Sequence, residues 1–87
     1  MIEDLNDAAF NQYLKSRKYN QSSIMLCHTF LFNHIHRTCA DILKIEDVRE
    51  YIEQLLSRRY SSTDSKCRHY MRYLTWLQDF LRMEAAA

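Results

Sequence analysis

The chain has 87 residues and contains neither glycine nor proline, where average usage would place roughly ten of the two. That composition excludes collagen-like and Pro/Gly-rich disordered classes, Gly-rich phosphate loops, dinucleotide fingerprints and hairpin-rich β folds, all of which depend on those residues. Twelve Lys+Arg against eleven Asp+Glu give a net charge of +1, so overall charge names no partner, and 47% hydrophobic with 13% aromatic residues is enough for one core.

Helical spacing runs almost throughout. The first predicted helix covers about residues 2–17, with Leu5, Ala9, Phe10, Tyr13 and Leu14 on one face. Asp4 and Asp7 sit near its start, Lys15 and Arg17 near its end, as the helix dipole favours. Lys18-Tyr19-Asn20-Gln21 breaks it, and Asn20 is the residue suited to a left-handed turn where glycine is missing. The second helix opens at Ser22 or Ser23 as N-cap and reaches about residue 37. It buries Ile24, Leu31 and Ile35, with Cys27 or His28 between them. Residues 38–43 read as a loop. The third helix, about 45–59, buries Val48, Ile52, Leu55 and Leu56. Ser61-Ser62-Thr63-Asp64 is the next break and cap. The fourth, about 64–84, carries the cleanest stripe: Cys67, Tyr70, Tyr73, Leu74, Leu77, Phe80 and Leu81. Residues 85–87 stand apart as a tail or added remnant. The expectation is one all-α, four-helix domain over residues 1–84, built from two helical hairpins.

A weak internal repeat supports two hairpins. Leu14-Lys15-Ser16-Arg17-Lys18-Tyr19-Asn20 resembles Leu55-Leu56-Ser57-Arg58-Arg59-Tyr60-Ser61, 41 residues later, and the same offset pairs His28 with His69. Basic charge gathers at these junctions: Lys15, Arg17 and Lys18 at the first, Arg58, Arg59, Lys66, Arg68 and Arg72 around the second. Asp41, Glu46, Asp47, Glu50 and Glu53 lie between them. In a pair of antiparallel hairpins both junctions can sit at one end. On the fourth helix, Ser65, Arg68, His69, Arg72 and Thr75 lie opposite the core stripe, and Arg68 and Arg72 project side by side at i,i+4. Arg, Ser, Thr and His on one helix face are suited to phosphates and base edges, and a Ser-capped helix start offers free N–H groups to a phosphate.

The helix order and soft positions resemble the core-binding, SAM-like N-terminal domain of tyrosine recombinases and phage or transposon integrases. The resemblance is carried by Phe10-Asn11-Gln12-Tyr13-Leu14-Lys15-Ser16-Arg17, by Asn20-Gln21-Ser22-Ser23-Ile24 with Leu31, and by the segment from Asp47-Val48 through Tyr51-Ile52 to Leu55-Leu56-Ser57-Arg58. Ser61-Ser62-Thr63-Asp64 and a last helix with Arg68, Arg72, Tyr73 and Trp76 complete it, so that it spans about residues 5–82. It implies a domain that forms half of a clamp on crossover-site DNA, with the second and fourth helices against the major groove. It also implies a catalytic domain elsewhere in the parent protein, other recombinase subunits as partners on the same DNA, and a cytoplasmic setting of bacterial, phage or mobile-element origin. Transferred to this chain, the DNA-binding positions are Lys18, Ser22, Ser23, His28, Thr29, Arg59, Ser62, Thr63, Lys66, Arg68, His69 and Arg72. Two departures stand out. The second helix has no Lys or Arg before Arg37, with Met25, His28 and Thr29 where the family usually has basic residues, and Gln21 and Ser62 replace the family's prolines.

The chain itself is expected to be non-catalytic, without cofactor, metal or small-molecule substrate. His69-Tyr70-Met71-Arg72 spells the recombinase His-x-x-Arg pair, but on a helix expected to face DNA and without the rest of the catalytic set. His36 and Cys39 have usable i,i+3 spacing for zinc, but Cys67 and His69 are i,i+2 on a helix and face different ways, and there is no Cys-x-x-Cys. Three cysteines form no disulfide framework, which points to a reducing compartment. No apolar run reaches the ~18 residues of a membrane span, and the acidic start is unlike a signal peptide. The alternative function is a small helical protein–protein interaction module, with Phe30, Phe32 and Trp76 off the assigned stripes as its apolar patch.

Overall fold

The computed structural model describes residues 2–57 and 64–86. It is all-helical, and among the described residues there are five helices rather than four: α1 (Asp7–Ser16), α2 (Gln21–His34), α3 (Cys39–Leu43), α4 (Val48–Ser57) and α5 (Asp64–Ala86). The additional helix, α3, occupies the stretch read as a loop. Thr38 caps it by accepting a hydrogen bond from the Asp41 N–H at 3.2 Å. Its one fully buried side chain, Ile42, explains why five residues of weak periodicity fold at all.

The other boundaries also move for local reasons. α1 begins at Asp7, not near residue 2, because Asn6 caps it through the Ala9 N–H (3.2 Å). In the segment before it, Ile2 is buried and Asp4 accepts the Cys39 N–H at 2.8 Å. Asp4 therefore caps α3 rather than α1. The first break closes α1 with the bonds of a Schellman motif, Lys18 N–H to Lys15 O (3.0 Å) and Tyr19 N–H to Leu14 O (3.5 Å). The left-handed residue is Lys18, with φ 62°, not Asn20. Asn20 (φ −59°) is instead the N-cap of α2, and its side chain accepts the Ser22 N–H at 2.8 Å. Ser22 and Ser23 consequently lie inside the first turn and are not caps. α2 stops at His34 because Ile35 turns extended and drives its side chain into the core. At the other terminus α5 continues through Ala86.

α5 is the axis of the molecule, since each of the other four helices packs on it. Its inward arc carries Tyr73, Leu74, Trp76, Leu77, Phe80 and Leu81, all buried. Phe10 and Tyr13 of α1 lie on Phe80, with ring centroids 5.3 and 5.4 Å apart. Tyr19 stacks flat on Trp76, with centroids 4.1 Å apart and an interplanar angle of 10°. Phe30 stacks on Tyr70, also at 4.1 Å. Phe30 and Trp76 are thus core residues, which removes two of the three aromatics expected to form an exposed patch; Phe32 alone is exposed.

These contacts also set direction. The start of α2 lies beside Trp76 and its end beside Tyr70, so α2 runs against α5 in the opposite sense. The first basic junction then sits level with Trp76, about 15 Å along α5 from Lys66 at 1.5 Å per residue. Among the described residues of the second basic cluster, Arg72, Arg68 and Lys66 follow one another along α5 away from that level.

Candidate nucleic-acid interface

Because four helices cover α5, only one face of it remains open along most of its length. That face carries Arg68, Arg72 and Thr75, all exposed, and is continued by Asp79 and Arg82, which pair with each other at 3.5 Å. The acid on this face is thereby matched by its own arginine. Among the described residues neither Arg68 nor Arg72 enters an ion pair. Thr75 donates its hydroxyl to the Met71 carbonyl at 2.8 Å, which leaves its oxygen lone pairs outward.

Around the helix from the arginines, α5 and α2 enclose a groove of about 350 Å³. Leu26, Thr29, Phe30 and His34 of α2 face Lys66, His69, Tyr70 and Tyr73 of α5 across it. Three of the expected contact residues, Thr29, Lys66 and His69, therefore share one site. Leu26, His34, Tyr70 and Tyr73 were not among them. The signal for the last three was present as the i,i+4 pairs Phe30/His34, Lys66/Tyr70 and His69/Tyr73, which put ring or cation on one side of each helix. Phe30 and Tyr73 form the floor, buried, while His69 is exposed at the rim.

The remaining positions scatter. Lys18 is exposed in its left-handed turn, Ser22 is exposed and Ser23 half-buried in the first turn of α2, all beyond the groove. His28 does not face outward with Thr29. Its Nδ1 lies 3.2 Å from Asp7 Oδ1, its Nε2 3.4 Å from Asn11 Oδ1, and its ring meets Phe10 edge-on at 5.8 Å. It is a half-buried joint between α1 and α2, so the two repeat-related histidines have different surroundings. Thr29 is exposed and bonds back to the Met25 carbonyl at 3.0 Å. Arg59, Ser62 and Thr63 lie outside the described residues.

The rest of the surface offers little chemistry. Among the described residues no three His, Cys, Asp or Glu side chains converge to hold a metal ion. Burial pushes the Cys27 thiol up to about 12, and burial, with the hydrogen bond to Asp4, does the same for Cys39, so neither thiol ionises near neutrality. Among the described residues no helix is long and apolar enough to cross a membrane. On α2, Met25, Leu26 and Phe32 are exposed although the opposite side of the helix is core. Compared with known proteins, the chain has no match among protein-family models, curated proteins or solved structures.

Proposed function

We propose that this chain is a duplex-DNA-binding domain that grips DNA across the α2–α5 face, of the kind that forms the core-binding half of a tyrosine recombinase clamp. The observation that carries the reading is the open face of α5, where Arg68 and Arg72 stand side by side without an acidic partner among the described residues, flanked by Lys66 and His69. Guanidinium groups so placed bind phosphate oxygens bidentately or read guanine edges. Lys18, exposed in the turn between α1 and α2, adds a further cation. In this reading the chain makes no covalent chemistry of its own. Strand cleavage belongs to another domain of the parent protein, and neighbouring recombinase subunits are its partners on the DNA.

Duplex binding is measured by fluorescence anisotropy at two salt concentrations. Arg68→Ala with Arg72→Ala weakens it by at least ~10-fold while the far-UV circular dichroism and melting temperature stay put. A double variant that binds duplex as well as the parent removes this assignment. The exposed Met25, Leu26 and Phe32 favour a second reading, a protein-interaction module. Salt separates the two, because phosphate contacts weaken steeply as salt rises and an apolar interface barely responds.

A further inference from the structure

The groove between α2 and α5 has a chemistry that phosphate attraction along the arginine face does not use. Its floor is a continuous run of rings. Phe30 stacks on Tyr70 with centroids 4.1 Å apart at 19°, His34 lies 5.6 Å from Tyr70, and His69 is near-parallel to Tyr73 at 6.4 Å. Its mouth carries a cation, Lys66, and the exposed imidazole of His69. A volume of about 350 Å³ is within the range that holds a small organic ligand. Flat π faces with an ammonium at one edge match a flat ring that carries an anion, and a duplex has no such ring exposed, since its bases are stacked inside.

We propose that this groove binds one 5′-nucleotide unit, with the base laid against Tyr70 and His69 and the phosphate at Lys66. The proposal rests on the nucleic-acid reading above and narrows it to an unpaired nucleotide at a place distinct from the Arg68–Arg72 face. The same chemistry is offered by a free nucleotide and by an unpaired residue of a DNA strand, such as a base displaced beside a cleavage site. Stacking on rings accepts any base, since every base has a π face, so binding is tolerant of base identity.

The test titrates thymidine 5′-monophosphate, a short oligothymidylate and a duplex of mixed sequence into the ¹⁵N-labelled chain, following amide shifts. The mononucleotide and the single strand move the amides of Thr29, His69 and Tyr70, and the single strand binds more tightly if the source is a DNA strand, equally if it is a free nucleotide. His69→Ala, on an exposed position that the core does not need, weakens both by several fold, and Tyr70→Leu, which keeps apolar bulk under the groove but removes the ring, weakens both by about tenfold. Arg68→Ala with Arg72→Ala leaves mononucleotide binding unchanged. The proposal is overturned if neither single-stranded probe shifts groove amides, or if Tyr70→Leu and His69→Ala, both folded by circular dichroism, bind like the parent. Duplex binding that persists and depends on the two arginines would then leave the duplex reading standing without the groove, and loss of duplex binding with groove shifts intact would do the reverse.

Discussion

Lys18 shows how a single residue answers a missing glycine. The Schellman bonds that end α1 require one residue in the left-handed region, which costs an L-residue with a Cβ about 1–2 kcal/mol. Tyr19, the next residue, offsets that cost by covering Trp76. Lys18→Gly relieves the strain but loosens the unfolded chain, so a net gain of roughly 0.5–1 kcal/mol is expected in urea unfolding. The same change removes a cation from the proposed interface and weakens duplex binding. A Lys18→Gly chain less stable than the parent would contradict this account of the turn. Gln78 is the opposite case, a polar residue where apolar ones belong. It lies at i+4 from Leu74 and three residues before Leu81, is 3% exposed, and donates its Nε2 to the carbonyls of Ile42 (3.0 Å) and Ile45 (2.9 Å). It thereby ties the end of α3 and the turn after it to α5, sharing Ile42 O with the Ile45 N–H (3.2 Å). Gln78→Leu fills the space but takes the amide from both carbonyls, of which Ile42 O keeps the Ile45 N–H, and a loss of about 2 kcal/mol with an unchanged urea m-value is expected.

At the scale of elements, the short α3 exists because other parts of the chain complete it. Five residues are too few to hold a helix in water. Thr38 caps its start from within, Asp4 accepts its first N–H from the far side of α1, Ile42 enters the core, and Gln78 takes carbonyls at its end. The bond from the Cys39 N–H favours the charged form of Asp4 and holds its carboxyl below the ordinary value of 3.8. A carboxylate with a lowered folded value stabilises above the unfolded value, and that stabilisation is lost as pH falls through the folded one. Asp4→Ala should therefore lower the urea midpoint at pH 7, and the gap from the parent should narrow below about pH 3.8. A gap that stays constant down to about pH 2 would mean the charge of Asp4 contributes nothing. The reversed sense of α2 against α5 is likewise a property of elements in contact, and it sets the first basic junction level with Trp76.

The whole molecule is organised by α5. The radius of gyration, 12.6 Å, is close to the ~12 Å of a folded chain of this length. One 23-residue helix buried along most of one side by four shorter ones leaves a single long face for function. If that face is the duplex interface, the parent loses affinity steeply with salt, and removing Arg68 and Arg72 flattens the log–log salt slope by about 2, one for each phosphate no longer neutralised. An unchanged slope with weaker binding would instead mean that the arginines read bases or hold the fold.

Much of this could be read from residue order alone. The missing glycine and proline and the 3.6-residue spacing determined an all-helical chain, and the stripes of the first and last helices matched the core because a long amphipathic pattern has one burial solution. Arg68 and Arg72 on the open face of α5 followed from the same periodicity. The rest depended on contacts between segments distant in sequence, which local pattern does not encode. α3 needs Asp4 and Gln78, 35 and 36 residues away from the groups they bind. Phe30 and Trp76 looked exposed until Tyr70 and Tyr19 covered them. The shared site of Thr29, Lys66 and His69, and the separation of His28 from it, came only from the way α2 is laid across α5, since a side chain's position on its own helix does not say which neighbour it will meet.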